Sequence, residues 1–242
     1  MMTTNWQVTE RVDTVQRTDD IPATMPVARL RAVETPAPRA EDFDLPTRYL
    51  TIKYAVSRLL AGVLLVVLSP LLAFIAGLLR LKLGKGVLYR QARVGRDGES
   101  FEILKFRTMD ADRRSARAPV EQDRRQTHKS DADPRHNALG RLLRKTSLDE
   151  LPQLWNVVRG DMTLVGPRPE LTEVAEKYGF RDHPRHVVVP GITGLWQVSE
   201  YRDRLLHEHI DIDVDYVQRV SLGLDLQIIA RTFLLLVRPT GR

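Results

Sequence analysis

Apolar and polar residues are unevenly distributed along this chain of 242 residues. Residues 1–46 are polar and rich in Pro, Thr and Ala, as in the segment Glu34-Thr35-Pro36-Ala37-Pro38. A segment with so little apolar surface to bury cannot offset the conformational entropy that ordering would cost. We therefore predict a disordered N-terminal tail over residues 1–46.

A long apolar run follows, and no charged residue occurs among the 21 positions between Arg58 and Arg80. As a helix these residues would extend roughly 32 Å, which is about the hydrocarbon thickness of a bilayer. The pair Ser69-Pro70 lies at the midpoint, where proline removes a backbone hydrogen bond and bends a helix. The pattern predicts a kinked membrane helix within residues 47–86.

Basic residues flank this helix on both sides, at Lys53, Arg58, Arg80, Lys82 and Lys85. Because positively charged flanks favour the cytoplasmic side, both ends are expected on that face. A re-entrant helix, which enters and leaves by the same face, satisfies this rule and the kink together. An ordinary spanning helix fits the length equally well, whereas a buried helix of a soluble protein would be shorter.

The remaining chain alternates between short strand patterns and helical patterns. Strands are predicted at Val87–Tyr89, Phe101–Met109 and Thr163–Val165, with a turn at Gly95–Gly98. Helices are predicted at about 137–145, 147–160 and 170–178, and the charged segment 110–135 is interpreted as a loop or frayed helix. A last helix carries one apolar face, which could pack on a core or lie in a membrane interface: Leu222, Leu226, Ile229, Phe233 and Leu236.

Composition adds a preference for anionic partners. The net charge is +6 and the sequence pI is about 9.8, which suits a phosphate-bearing substrate or an acidic membrane surface. Nucleic acid is not expected, because only 6% of residues are aromatic and no basic stripe with interleaved aromatics occurs. The chain has no cysteine, which excludes disulfides.

The segment Ser147–Trp155 carries the candidate chemistry. Ser147 and Glu150 have the spacing of a capping box, and Pro152 is tolerated only near a helix start, so Asp149 and Glu150 are predicted in a first helical turn. Such acids commonly do no more than complement the helix dipole. A helix start also attracts phosphate, however, and basic residues surround the segment: Arg141, Arg144, Lys145, Arg159 and Arg168.

Three cationic side chains are candidates for phosphate contacts. Arg168 lies between two prolines, so its guanidinium would be presented at low entropic cost, although a plain turn with a solvated arginine fits as well. Lys105 and Arg107 alternate with apolar residues and would share one strand face, which on alternation alone could be a solvated face.

Other acidic patterns are weak signals. Asp110-Ala111-Asp112 has the form of a metal-binding pair, but acids are common in charged loops. The alternating Asp211, Asp213 and Asp215 do not share a helix face, so we assign them no function.

Seven motifs in order resemble those of the bacterial sugar transferase family, the monotopic phosphoglycosyl transferases that begin polysaccharide assembly on a lipid carrier. The resemblance covers about Lys53 to Val237 and includes the apolar segment with Ser69-Pro70. The other motifs are Arg90–Gly95, Lys105–Met109, Asp133–Arg135, Ser147–Asn156, Leu164–Pro169 and Pro190–Val198.

The resemblance implies an α+β fold that is mainly helical. A re-entrant membrane helix hairpin, broken at Ser69 and Pro70, would occupy residues 47–86. A small catalytic domain with amphipathic interfacial helices and short strands would occupy residues 87–242. The chain is then expected in the bacterial inner (plasma) membrane, with this domain on the cytoplasmic face.

The resemblance also implies roles for individual residues. Asp149 would be the nucleophile, and Glu150 would be associated with Mg²⁺ or with proton handling, so both are candidate metal ligands. Arg107, Arg168 and Lys105 would contact phosphates. The nucleotide-sugar region would include Thr193, Trp196 and Gln197, although Glu200-Tyr201-Arg202 replaces the family's usual Gly-Arg after Ser199 and leaves the sugar open.

The implied reaction transfers a sugar-1-phosphate from a UDP-sugar to polyprenyl phosphate and releases UMP, through a phosphosugar attached to Asp149. Membrane lipids are expected partners, and a homodimer is left open. Two other classes also remain open. One is a direct glycosyltransferase, which would release UDP. The other is a non-catalytic membrane scaffold for polysaccharide assembly.

Overall fold

The computed structural model describes residues 43–109 and 138–237. The predictions for the tail before residue 43, for Asp110 and Asp112, and for Asp133–Arg135 lie outside these residues. The described chain contains helices and short strands in a mainly helical α+β arrangement, as the sequence predicted. The helices are α1 Thr47–Leu83, α2 Ala138–Lys145, α3 Gln153–Arg159, α4 Thr172–Lys177, α5 Asp211–Arg219 and α6 Leu222–Val237. The strands are β1 Leu88–Val94, β2 Ser100–Phe106, β3 Thr163–Val165 and β4 Gly191–Thr193.

The strands form two small sheets. β1 and β2 make an antiparallel hairpin, whose turn contains Asp97 in a left-handed conformation with φ of 55°. β3 and β4 pair in parallel, with Thr163 opposite Gly191 and Val165 opposite Thr193. The predicted turn at Gly95–Gly98 and the buried strand at Thr163–Val165 are confirmed.

Helix α1 is one continuous helix of 37 residues that passes through Pro70. Ser69 Oγ donates a hydrogen bond to the Val66 carbonyl in the turn before the proline, at 2.8 Å. The helix thus includes the pair Ser69-Pro70, at which the sequence predicted a break. Its course in a membrane stays a prediction.

One stripe of α1 contacts the rest of the protein along most of its length. Leu50 packs with residues of α5 and α6 near the N-terminal end of α1, and Leu79 packs with Phe106 and Leu143 near its C-terminal end. Between them Ala61 packs against α3 and β2. The buried residues of this stripe recur at spacings of three or four from Leu50 to Ala61 and again from Ile75 to Leu79. Between these two groups, the partly buried Leu65, Leu68 and Leu72 continue the stripe.

The opposite side of α1 is apolar and exposed. Val66 is 75% exposed and Leu81 is 85% exposed, and the helix is long and apolar enough to cross a membrane. Further exposed apolar side chains on α1 include Ile52, Leu59, Val63, Val67 and Phe74. A surface of this extent is typical of contact with lipid or with another apolar partner.

Helix α6 exposes the apolar face that the sequence identified. Phe233 is 66% exposed and Leu226 is 56% exposed, whereas Leu224 and Ile228 on another side are buried against the core that contains Leu50. Of the two alternatives for this face, packing on the chain's own core is excluded within the described residues.

A buried polar cluster joins the N-terminal part of α1 to α5 and α6. Lys53 Nζ lies 2.8 Å from Asp225 Oδ2, and Tyr49 donates a hydrogen bond to the same oxygen at 2.5 Å. Tyr216 donates to Asp225 Oδ1 at 2.7 Å. Because each of these buried polar groups has a partner, the cluster fixes the helices relative to one another without a desolvation penalty for an unpaired charge.

Candidate active site

Asp149 and Glu150 lie in a single 3₁₀ turn, Leu148–Glu150, between α2 and α3. The predicted capping box is wrong. Ser147 adopts a left-handed conformation with φ of 55°, and its side chain caps no backbone N–H. The side chain of Glu150 turns to cationic partners instead. The predicted end of the following helix is confirmed, because Gly160 ends α3 with φ of 92°.

Glu150 is paired with cations. Lys105 Nζ lies 2.6 Å from Glu150 Oε1, and Arg168 Nη2 lies 3.8 Å from the same oxygen. Burial alone would raise the pKa of Glu150, but the charges of Lys105 and Arg168 lower it to about 2. Glu150 is therefore ionised at any physiological pH.

Asp149 has different surroundings. It is half-buried, and the charged groups that act on it are Glu150, Lys105 and Arg144. Burial and the negative charge of Glu150 raise the pKa of Asp149 to about 6, against a smaller lowering by Lys105 and Arg144. Two adjacent carboxyl groups thus have pKa values on opposite sides of their ordinary range, as is typical of groups with different chemical roles.

A small pocket opens beside Glu150, with three cationic side chains in its wall: Arg93, Lys105 and Arg168. Burial and the nearby Arg168 lower the pKa of Arg93 to about 10, so Arg93 stays charged at neutral pH. The remaining wall consists of Ile103, Glu150, Gln153, Pro169, Gly191 and Ile192. Such a concentration of positive charge is suited to a phosphate or diphosphate group.

The β1–β2 hairpin supplies two of these cations through its register. Lys105 pairs with Tyr89 and Arg93 pairs with Phe101, so Arg93, Ile103 and Lys105 share one face of the hairpin. Sequence reasoning assigned no function to Arg93. Counting outward from the predicted turn at Gly95–Gly98 would have placed it opposite Phe101, on the face of Lys105.

Asn156 fixes the hairpin to α3. This fully buried side chain accepts a hydrogen bond from Leu104 N at 3.0 Å and donates one to Glu102 O at 2.7 Å. It thereby holds the strand on both sides of Ile103, next to Lys105, and orients Lys105 toward Glu150. The sequence offered no signal for this role beyond the position of Asn156 at the end of a motif.

The turn Gly166–Pro169 presents Arg168 to the pocket. Gly166 N donates to Thr193 O at 2.9 Å, and Gly191 N donates to Pro167 O at 2.9 Å. A Cβ on Gly191 would lie 2.1 Å from Gly166 N, so only glycine permits this close approach. The alternative of a fully solvated Arg168 is wrong, because its side chain is 32% exposed and faces Glu150.

Lys105 and Arg107 do not form a solvated strand face. The side chain of Lys105 is 16% exposed, and Arg107 is buried. Arg107 Nη2 donates to Leu83 O at the end of α1, at 2.5 Å, and Arg107 does not line the pocket. Its predicted contact with phosphate stays a prediction.

Of the three residues predicted for the nucleotide-sugar region, Gln197 contacts the pocket wall, through Ile192. Gln197 Nε2 donates to Ile192 O at 3.0 Å, and Thr193 Oγ1 lies 2.6 Å from Thr232 Oγ1 of α6. Trp196 is buried in the 3₁₀ turn Trp196–Val198. Their predicted contact with substrate is not tested by these bonds.

The carboxyl groups of Asp149 and Glu150 are also the candidate ligands for a metal ion. Within residues 43–109 and 138–237 no group of three or more His, Cys, Asp or Glu side chains is close enough to hold a metal ion. Mg²⁺ is commonly held by one or two carboxylates together with substrate phosphates, so Asp149 and Glu150 are the residues that would hold it. The raised pKa of Asp149 fits this, because a cation would relieve the repulsion between the two acids.

Comparison with known proteins identifies the family. The profile described as bacterial sugar transferase matches residues 48–239, which is most of the chain. The chain belongs to the bacterial sugar transferase family. The seven motifs recognised in the sequence therefore reflect a true relationship.

Curated members of the family show the same relationship. The exopolysaccharide production protein ExoY of Sinorhizobium fredii is 41% identical over 182 residues, covering 72% of this chain and 80% of the relative. A UDP-glucose:undecaprenyl-phosphate glucose-1-phosphate transferase of Caulobacter vibrioides is 40% identical over 197 residues, covering 78% and 71%. A UDP-galactose-lipid carrier transferase of Erwinia amylovora is 40% identical over 169 residues, covering 65% and 35%.

Proposed function

We propose that this chain transfers a sugar-1-phosphate from a UDP-sugar to polyprenyl phosphate at a bacterial inner membrane and releases UMP. The observation that carries the proposal is the pocket of Arg93, Lys105 and Arg168 beside the acidic pair. The names of the relatives from Caulobacter vibrioides and Erwinia amylovora give the same substrate classes. The name of the relative from Sinorhizobium fredii, an exopolysaccharide production protein, links the reaction to exopolysaccharide synthesis.

The charges of the pocket support a diphosphate substrate. A carboxylate that approaches a diphosphate meets electrostatic repulsion, which nearby cations offset. Lys105 and Arg168 are both engaged by Glu150 at Oε1, and Arg93 adds a third positive charge to the same wall. Arg168 can make two parallel hydrogen bonds to phosphate oxygens, which Lys105 cannot.

The different surroundings of the two acids support Asp149 as the nucleophile. The cations beside Glu150 stabilise its negative charge and lower its pKa to about 2. Its carboxylate is therefore weakly basic and a weak nucleophile. Asp149, with a pKa of about 6, is more basic and is still largely ionised at neutral pH. A more basic carboxylate is the better nucleophile of the pair.

The two steps conserve atoms and charge. A carboxylate oxygen of Asp149 attacks the β-phosphorus of the UDP-sugar, and the bond to the bridging oxygen breaks as UMP leaves with its electron pair. A phosphate oxygen of the polyprenyl phosphate then attacks the same phosphorus. Asp149 leaves as a carboxylate, and the product is a polyprenyl-diphospho-sugar. Glu150 and Asp149 would hold Mg²⁺, which when bound offsets negative charge on the diphosphate.

The proposed location follows from α1 and α6. Because residues near both ends of α1 pack on one domain, a spanning course would carry part of that domain to the other side of the bilayer. A re-entrant course keeps the domain on one face, and the basic flanks make that face cytoplasmic. The exposed apolar face of α6 would then lie in the membrane interface.

Identification of the released nucleotide tests the proposal. Membranes containing the full-length chain are incubated with polyprenyl phosphate and UDP-glucose or UDP-galactose, and the nucleotide products are separated. We expect UMP in an amount equal to the lipid product. UDP in place of UMP would indicate a direct glycosyltransferase, and no nucleotide with any UDP-sugar would favour a scaffold.

A further inference from the structure

A buried arginine supports the turn that carries Arg168. Arg185 lies in the 3₁₀ turn Pro184–His186 and is fully buried. Its Nη2 atom donates to Asp213 Oδ2 at 2.5 Å and to the carbonyl oxygen of Arg168 at 2.5 Å. A single nitrogen therefore links α5 to the backbone of the residue that faces Glu150.

The next carbonyl in the chain, that of Pro169, also accepts a hydrogen bond from an arginine side chain. Arg93 Nη1 donates to Pro169 O at 3.1 Å, so two arginines bind two consecutive carbonyls of the turn. The preceding residues, Gly166 and Pro167, are bonded to β4. Each of residues 166–169 thus has a backbone hydrogen bond, to β4, to Arg185 or to Arg93.

Stability alone gives a weak reason for the Arg185–Asp213 pair. Both side chains are fully buried, and Arg185 Nε, Arg185 Nη1 and Asp213 Oδ1 find no hydrogen-bond partner within the described chain. A buried ion pair of this kind is often no more stabilising than apolar residues of similar volume. Its geometry, with the shared nitrogen aimed at the Arg168 carbonyl, points to a positional role.

We propose that Arg185, held by Asp213, is a positioning residue that fixes the backbone of Arg168 so that its guanidinium faces the substrate phosphates. This inference depends on the proposed function of Arg168. Arg185 contacts the carbonyl of Arg168 and not the pocket itself, so it acts through Arg168. Misplacement of a catalytic group by about 1 Å can lower a rate by about 100-fold, so a small relaxation of the turn is sufficient to be measured.

A double-mutant cycle tests this role. The full-length chain in membranes is compared as wild type, Arg185→Lys, Arg168→Ala and the double variant. The measured quantities are kcat/KM for nucleotide release and the melting temperature. We expect Arg185→Lys to lower kcat/KM about tenfold in the wild-type background and less than about twofold when Arg168 is already alanine. The loss of melting temperature should be the same in both backgrounds.

A matched control is Arg181→Lys. Arg181 also donates to a backbone carbonyl, that of Gly98. Its other hydrogen-bond partners are Glu176 and Ser100, which lie outside the turn Gly166–Pro169. We expect this control to leave kcat/KM within about twofold of wild type in both backgrounds. If Arg185→Lys does not fold, Asp213→Asn replaces it in the cycle, since it removes the carboxylate that orients Arg185.

The outcomes separate the two proposals. An equal loss of kcat/KM in both backgrounds, or no loss with Arg185→Lys and Asp213→Asn, would overturn the positioning role while UMP release by the wild type upholds the function. If Arg168→Ala retains full activity, the positioning role also fails. If the wild type releases UDP instead of UMP, the proposed reaction fails, and the cycle is measured on UDP release.

Discussion

At the scale of single residues, Asp149 and Glu150 are adjacent in sequence but differ in their electrostatic surroundings. Lys105 and Arg168 contact Glu150, whereas burial and the adjacent negative charge of Glu150 have the largest effect on Asp149. The difference in pKa, about 6 against about 2, supports the proposed roles of Asp149 as nucleophile and of Glu150 as a permanently charged partner.

This separation predicts the pH dependence of the first chemical step. Since Asp149 must be ionised to attack, the rate of UMP release without lipid acceptor should fall as the pH is lowered through about 6. Glu150→Gln removes the neighbouring negative charge that raises the pKa of Asp149. The fall in rate at low pH, the acid limb of the pH–rate profile, should therefore move to lower pH even if the maximal rate decreases. Single-turnover rates of UMP release, measured from about pH 4 to about pH 8, give this dependence.

The control for this experiment is Glu99→Gln, which removes an exposed acid in the hairpin turn. Its acid limb should coincide with that of the wild type. A limb that does not move with Glu150→Gln would show that Asp149 is not the titrating group.

The geometry of Arg168 predicts the effect of a charge-conserving change. Arg168→Lys keeps the positive charge near Glu150 but loses the planar fork that bonds two phosphate oxygens. We expect kcat/KM for nucleotide release to fall by about tenfold or more, with an unchanged melting temperature and membrane content. Turnover within about twofold of wild type would mean that Arg168 serves only the turn.

At the scale of elements, local pattern predicted most helices and strands but not their partners. The apolar spacing of α6, the glycine end of α3 and the strand at Thr163–Val165 all follow from nearby residues. The capping box at Ser147 failed because Lys105, which is distant in sequence, attracts Glu150 more strongly than a backbone amide does. Long-range contacts of this kind are absent from a local pattern.

The contacts of α1 predict its topology. Cysteine is introduced at Thr51, near the start of the helix, or at Lys85, just after its end, since the natural chain has no cysteine. Because both ends pack on one domain, we expect both positions to be labelled by a membrane-impermeant reagent only from the cytoplasmic face. Labelling from opposite faces would show that the helix spans the bilayer.

At the scale of the whole molecule, the pocket is assembled from segments that are far apart in sequence. The hairpin brings Arg93 and Lys105, the 3₁₀ turn brings Glu150, and the turn after β3 brings Arg168. Each was present in a recognisable motif, but their convergence depends on pairing registers and on buried supports such as Asn156 and Arg185. The sequence therefore predicted the candidate acids and cations better than the supports that orient them.

The whole molecule also exposes two apolar surfaces, one on α1 and one on α6. A soluble monomer rarely exposes so much contiguous apolar surface, and lipid contact removes it from water. An enzyme in this position has access to a water-soluble nucleotide-sugar and to a lipid phosphate at once. The net positive charge of +6 suits both anionic substrates and an acidic membrane surface.

Detection of a covalent phosphosugar tests the central claim most directly. The full-length chain is incubated with a labelled UDP-sugar without polyprenyl phosphate, and its peptides are mapped by mass spectrometry. We expect the label on Asp149, its loss in Asp149→Asn together with UMP release, and a reduced amount on Asp149 in Glu150→Gln. A label on Glu150 would reverse the two roles. Product formation at a normal rate without any adduct, and only when both substrates are bound together, would contradict the covalent mechanism.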